Sequence, residues 1–273
     1  MNLQKKKFLW SNTINIRMNE KFKVPILMYH SIDDSNSVIS IDPHRFKAQM
    51  RFLKDRAFNV LSLYEVISCI KNKRAFPDKS VVITFDDGFK NVFTEAFPIL
   101  QEYGFSATIF LVPNYCGKLN NWPGQPDYIK PQLLLTWNEI REMEQYGIQF
   151  GSHTLNHPHL TQIHTEEAEK EILLSKGIIE DILQKKIDLF AYPYGDFDRH
   201  IKKIVSQLFI GSCSTNLGFA CNKSDLYALE RIDFFYIKND WILKQLLSLN
   251  LVTYLKCRNI LRTVRNFGIF NRN

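Results

Sequence analysis

Short apolar runs alternate with helical patterns along most of the 273 residues. Strands that alternate with helices form parallel sheets, because the chain must cross back over the sheet after each strand. About seven such runs over roughly 220 residues therefore predict an α/β protein, a distorted (β/α) barrel of about seven parallel strands. The runs typical of strands lie at residues 24–30, 80–85, 107–112, 147–152, 189–191, 209–213 and 229–234.

Polar residues predict where helices begin between these runs. Asp42–Pro43 is typical of an N-cap followed by the first helical position. Ser62 with Glu65 and Thr136 with Glu139 have the spacing of capping boxes. Residues 113–135 are rich in proline, glycine and asparagine and predict a loop that is too long to be a simple connection.

The net charge of +7 is concentrated at the two ends of the chain. Without those ends, acidic residues slightly outnumber basic ones, which argues against a nucleic-acid-binding domain. We therefore predict a basic N-terminal extension at residues 1–23, the barrel domain at residues 24–249, and a basic amphipathic helix at residues 250–273.

The predicted C-terminal helix has two interpretations. Arg258, Arg262 and Arg265 share one face beside an apolar face, so the helix either docks on the barrel or lies on an anionic membrane surface. The N-terminus lacks the apolar stretch of a secretory signal, which predicts a cytoplasmic protein. Membrane binding by the helix would place it peripherally at the inner face of the membrane.

Asp86 and Asp87 follow the apolar run 80–85 directly. Two adjacent carboxylates repel each other unless a cation or hydrogen bonds compensate, and this end of a barrel strand is where barrel enzymes place their active sites. On its own, the Asp-Asp-Gly segment is more typical of a plain turn.

His153 and His157 follow another predicted strand and are four residues apart. On a helical turn this spacing would project two imidazoles toward one metal. An isolated pair of this kind is more often two exposed histidines that bind no metal. With one aspartate, the pair completes a two-histidine, one-carboxylate set that leaves coordination positions open for water and substrate.

The ordered segments Thr84–Gly88 (T-F-D-D-G), His153–His157 (H-T-x-x-H) and Tyr192–Gly195 (Y-P-Y-G) resemble the motifs of the polysaccharide deacetylases, the NodB-homology domain of carbohydrate esterase family four. The resemblance covers about residues 24–234. It implies a NodB-like barrel and metal-dependent hydrolysis of N-acetyl groups on amino sugars. By position, Asp86 resembles the general base, and the backbone N–H of Tyr194 resembles the oxyanion donor. The residues that resemble the metal ligands are Asp87, His153 and His157.

The chain departs from the usual family pattern in two places. Ala191 lies where many members have an arginine that orients the catalytic aspartate, and no histidine follows His200 to supply the general acid. A branch of poly-N-acetylglucosamine deacetylases has an N-terminal histidine and a Phe-Ala-Tyr-Pro-Tyr-Gly motif, which His30 and residues 190–195 resemble. We therefore predict His30 as general acid. Arg231 is a candidate for the missing arginine, although an ordinary surface position is the plainer interpretation.

The sequence thus predicts a divalent-metal hydrolase acting on an N-acetylated glycan or its lipid- or nucleotide-linked precursor. Zinc is the first choice of metal, and cobalt, nickel, manganese and iron also suit nitrogen and oxygen ligands. Two alternatives stay open: a carbohydrate-binding relative without turnover, and a deformylase or other amide hydrolase with the same metal site.

Overall fold

The computed structural model describes residues 23–237, 240–248, 251–255 and 257–259. The predicted N-terminal extension lies outside the described residues except for Lys23, and so does most of the predicted C-terminal helix. Among the described residues, no helix has the length and apolarity needed to cross a membrane.

Seven parallel strands form a closed barrel, which confirms the predicted fold class. The ring closes where the strand Ile26–Tyr29 pairs in parallel with the strand Ser80–Phe85, from Ile26 opposite Val82 to Tyr29 opposite Phe85. Every residue of these two strands is buried, as expected where helices cover a parallel barrel. In order around the ring the strands are β2 (Ile26–Tyr29), β12 (Leu229–Asp233), β10 (Gly211–Leu217), β9 (Leu189–Ala191), β8 (Gln149–Ser152), β7 (Thr108–Leu111) and β6 (Ser80–Phe85).

Five short strands of the described residues lie outside the ring. β5 (Asn59–Val60) pairs with the start of β6, and β3 (Ser31–Ile32) pairs with β4 (Ser40–Ile41). β1 (Lys23–Val24) pairs antiparallel with β11 (Ala220–Cys221). Pro25 separates β1 from β2, because proline has no N–H to donate to a sheet.

Three helices begin where the sequence predicts. The Asp42 side chain accepts a hydrogen bond from the Arg45 N–H, and both predicted capping boxes are formed. The helices are α1 (Pro43–Asp55), α2 (Leu63–Lys71), α3 (Phe97–Tyr103), α4 (Trp137–Gln145), α5 (Thr165–Leu183), α6 (Arg199–Leu208), α7 (Phe234–Ile237) and α8 (Asp240–Leu243). A π-helical turn at Val92–Ala96 leads into α3.

The long loop at residues 113–135 folds back on the end of β6. Leu133 and Leu134 pair with Lys90 and Lys118 through backbone hydrogen bonds of 2.9 and 2.8 Å. Leu135 donates a further 2.8 Å bond to the carbonyl of Gly88, next to the paired aspartates. The loop is therefore an ordered flap beside the carboxyl-terminal end of the barrel.

Candidate active site and metal centre

The candidate residues meet at the carboxyl-terminal end of the barrel. Asp86 and Asp87 follow β6, His153 follows β8, Tyr194 lies just beyond β9, and His30 follows β2. Because parallel strands end on the same side of a barrel, one rim collects residues that are far apart in the sequence.

Asp87, His153 and His157 form a compact buried cluster. The Asp87 Oδ1 atom lies 3.5 Å from His153 Nε2 and 3.2 Å from His157 Nε2. One ligand atom from each residue lies within 4.8 Å of the other two, so a single cation could contact all three.

The protonation of these groups suits a cation. His153 Nδ1 lies 2.7 Å from the carbonyl oxygen of Ala191, and since a carbonyl only accepts, this nitrogen carries the proton. Burial lowers the pKa of His157, although Asp87 opposes the shift. Burial alone would raise the pKa of Asp87, but His157 and His153 hold it well below its usual value.

The cluster therefore passes a chemical test for a metal site. Asp87 Oδ1 is buried and makes no hydrogen bond of acceptable geometry, although both imidazoles face it. Because His153 Nδ1 donates to the Ala191 carbonyl, the Nε2 atom that faces Asp87 is the nitrogen left to act as a metal ligand. Acceptors that converge in a buried site need a shared cation, and two imidazoles with one carboxylate are ligands of catalytic zinc sites.

The two histidines do not lie on a helical turn, so that prediction is wrong. They lie at the ends of an irregular loop in which Thr154 and His157 have φ values of 66° and 61°. The Thr154 hydroxyl accepts a 3.0 Å bond from the His157 N–H and donates a 2.5 Å bond to the His153 carbonyl. A left-handed backbone at Thr154 and His157, rather than helical periodicity, brings the two imidazoles together.

Trp122 of the flap covers one metal-ligand candidate. Its ring stacks on the His157 imidazole at 4.3 Å between centroids, and its side chain is buried. Tyr128, in the same flap, is 72% exposed. Trp122 therefore belongs to the wall of the site, whereas Tyr128 lies at its outer surface.

Asp86 is paired with Arg231 on β12. Arg231 donates two hydrogen bonds to the Asp86 carboxylate, at 2.7 and 2.6 Å, and its Nε donates to the Ser214 carbonyl at 2.9 Å. Burial alone would raise the pKa of Asp86, but the guanidinium holds it below its usual value. Arg231 is 1% exposed, so the surface position suggested by the sequence is wrong. Its contact with Asp86 is the one that a replacement arginine would make.

His30, at the same rim, influences the pKa of three carboxyls: those of Asp86 and Asp87, and that of Asp233, which lies outside the sequence motifs. Burial raises the pKa of the Asp233 carboxyl, and His30 opposes that shift. His30 also contributes to the lowered pKa of Asp86 and Asp87. Asp233 lies two residues after Arg231 on one strand, and this period-2 spacing is the signal that could have identified it.

Tyr194 occupies a tight turn after β9. Its φ is 58°, and it is the second residue of a three-residue 3₁₀ helix, so the helix itself cannot pair its N–H. Its ring stacks on His159 at 3.8 Å and meets His157 edge-on at 4.6 Å. Burial raises the pKa of the phenol to about 12, so the hydroxyl stays neutral near physiological pH.

The fold and the site together define the class of protein: a (β/α) barrel with two histidines and one carboxylate grouped at the carboxyl-terminal ends of its strands. The polysaccharide deacetylase family model matches residues 73–210, and the chain belongs to that family. The chain is 29% identical over 218 residues to YxkH of Bacillus subtilis strain 168, whose name places it among the polysaccharide deacetylases; the match covers 80% of this chain and 73% of YxkH.

Two further relatives carry more specific names. The poly-β-1,6-N-acetyl-D-glucosamine N-deacetylase of Staphylococcus epidermidis is 32% identical over 165 residues, which cover 57% of this chain and 54% of that protein. The chain thus spans about half the length of this relative. The structure of the Streptococcus pyogenes deacetylase PplD in complex with acetate matches 77% of this chain and 92% of PplD, with 29% identity and a TM-score of 0.68.

Proposed function

We propose that this protein is a metal-dependent hydrolase that removes N-acetyl groups from N-acetylhexosamine units of a glycan or of its lipid- or nucleotide-linked precursor. The observation that carries the proposal is the buried Asp87, His153 and His157 cluster next to Asp86, whose carboxylate Arg231 holds. Family membership and the names of the relatives point to the same chemistry.

Asp87, His153 and His157 would hold one divalent cation, with zinc as the first choice. When bound, such a cation lowers the pKa of water and polarises the carbonyl of an N-acetyl group. Asp87 and His157 contribute a carboxylate and a neutral imidazole, because the pKa of each is lowered in the folded chain.

Asp86 acts as the general base. Its two hydrogen bonds to Arg231 keep the carboxylate ionised and fix its orientation, so that it takes a proton from the attacking water. The Tyr194 N–H donates to the oxyanion as the carbonyl becomes tetrahedral. His30 then gives a proton to the departing amine nitrogen.

The buried Arg231–Asp86 pair argues against a relative that has lost turnover. Ala191 and the missing C-terminal histidine are departures from the family pattern that favour such a relative. Arg231 supplies the guanidinium from another strand, and His30 supplies an imidazole at the same rim. The site thus retains a group for each step of amide hydrolysis.

Acetate release from oligomers of N-acetylglucosamine and N-acetylgalactosamine tests the proposal. We expect release that requires added Zn²⁺ and stops with a chelator. Asp86→Asn should bind Zn²⁺ without turnover, whereas His157→Ala should lose both. Full activity of Asp86→Asn would contradict the base assignment, and silence of the zinc-loaded wild type on acetylated, formylated and lipid-linked sugars would contradict the proposed activity.

A further inference from the structure

Glu171 is a charged residue within the buried face of α5. Its side chain is 8% exposed, and its neighbours on that face are small or apolar. Glu171 Oε2 accepts hydrogen bonds from the Leu155 N–H at 3.0 Å and the Asn156 N–H at 2.8 Å. Its Oε1 accepts a third, at 2.6 Å, from the Asn156 side-chain amide.

All three donors belong to the loop between His153 and His157. That loop contains two left-handed residues other than glycine, Thr154 and His157, a conformation that persists only where surrounding contacts fix it. The carboxylate of Glu171 satisfies two consecutive backbone N–H groups at the middle of the loop. It therefore fixes the segment that sets the separation of the two imidazoles.

Other contacts connect α5 and the turn after β7 to the same loop. The Ser152 and Ser175 hydroxyls lie 2.8 Å apart, which joins the strand before His153 to α5 one turn beyond Glu171. The Asn114 side chain donates a 2.8 Å bond to the side-chain Oδ1 of Asn156. Glu171 is thus the charged member of a network that holds the start and the middle of the loop.

We propose that Glu171 is a positioning residue for the metal centre: its carboxylate holds the 153–157 loop so that His153 and His157 converge on one cation. This inference rests on the proposed function, because it presumes that the cluster binds metal. Glu171 touches no reacting atom. Its contribution is to metal affinity, since substituting a residue that orients metal ligands typically weakens metal binding by about 10- to 100-fold.

Zinc affinity measured by competition with a coloured chelator tests the inference. Glu171→Ala should weaken Zn²⁺ binding at least about tenfold. Glu171→Gln should give a smaller loss, because its amide oxygen can still accept from a backbone N–H while its NH₂ faces the donor of Asn156. Glu169→Ala is the matched control, an exposed glutamate on the same helix, and should bind as the wild type does.

The absorption spectrum of bound Co²⁺ is a second measurement. If Glu171 only stabilised the fold, its substitution would leave this spectrum unchanged. We expect Glu171→Gln to alter the band positions or intensities while its melting temperature without metal stays near that of Glu169→Ala. Wild-type affinity and spectrum in both Glu171 variants would overturn the inference but leave the metal site standing. Absence of Zn²⁺ binding by the wild type would instead overturn the proposed function, and the inference with it.

Discussion

At the scale of single residues, the Arg231–Asp86 pair combines stability with chemistry. Both groups are buried, and removing one partner of such a pair leaves an uncompensated charge. We expect Arg231→Met to lower the free energy of unfolding by about 3–5 kcal/mol. Turnover should fall by roughly 10²-fold or more, because the base loses its orientation. Urea denaturation and acetate release measure the two effects.

Two further variants make this prediction specific. Arg231→Lys keeps the charge but cannot donate in a bidentate fork, so it should recover stability better than turnover. Arg199→Met removes an exposed arginine at the start of α6 and should change neither property. Equal stability of the Arg231→Met and Arg199→Met variants would show that the buried pair contributes nothing to folding.

Asp33 provides a prediction about pH. Burial raises its pKa, but hydrogen bonds from Ser31, Ser35 and Ser40 lower it to about 2 in the folded chain. An unfolded aspartate has a pKa of about 3.9. A lowered pKa stabilises the folded state above about pH 4, and that contribution is lost as the pH falls toward 2.

Melting temperatures measured at successive pH values test this. The wild type should be more stable than Asp33→Asn at pH 6, and the difference should shrink steadily below about pH 4. Asp34→Asn, at the exposed neighbouring position, should follow the wild type throughout. A difference between wild type and Asp33→Asn that does not change with pH would contradict the assigned cause.

The sequence predicted the motif residues, offered Arg231 only as a candidate beside a plainer surface position, and did not indicate Glu171. Asp87, His153 and His157 were identified because ligand types recur at short spacings after strands. Arg231 pairs with an aspartate 145 positions earlier, and Glu171 binds a loop 15 residues away. Neither partner belongs to a motif, since such contacts depend on strand order and helix placement rather than on local spacing.

At the scale of elements, strands and helix starts were predictable because their signals are local. Capping boxes at Ser62 and Thr136 use side chains three residues apart, and both are formed. The 153–157 loop was predicted wrongly as a helical turn, because its shape depends on left-handed residues held by contacts from α5 and the Thr154 hydroxyl. Local spacing carries no information about those contacts.

Replacing two glycines in different elements by alanine should have opposite effects on the free energy of unfolding. Gly195 has φ 71°, and an added Cβ would lie 1.9 Å from the Thr215 hydroxyl oxygen, so Gly195→Ala should destabilise the protein by about 1–3 kcal/mol. Gly177 lies inside α5, and an added Cβ would meet no heavy atom within 4 Å. Gly177→Ala should therefore stabilise it by about 0.5–1 kcal/mol. Urea denaturation of both variants checks the signs, and a stabilising Gly195→Ala would contradict the assigned close approach.

At the scale of the whole molecule, the C-terminal segment contributes to the barrel's core. Leu251 and Leu255 are 2% and 1% exposed and belong to the same buried cluster as strand residues of the barrel. This contact supports docking for the beginning of the predicted basic helix. Arg262 and Arg265 lie outside the described residues, so membrane contact by that part of the helix stays a prediction, as does the cytoplasmic location.

Metal binding should couple the catalytic rim to the stability of the whole chain. The three proposed ligands follow the ends of two different barrel strands, β6 and β8, and the unfolded chain does not hold them together. A cation that binds only the folded state adds about 2.7 kcal/mol at a concentration one hundred times its Kd. For a domain of this size, that corresponds to a rise in melting temperature of roughly 5–10 °C.

Melting curves with excess Zn²⁺ and with chelator separate this linkage from nonspecific effects. Asp86→Asn should show the full rise, because Asp86 pairs with Arg231 and is not among the proposed ligands. His157→Ala should show little or none, because it removes one of three ligands. An equal rise in wild type and His157→Ala would mean that Zn²⁺ stabilises the chain at some other place. A rise in the wild type that His157→Ala abolishes and Asp86→Asn preserves would distinguish the metal ligand from the neighbouring base.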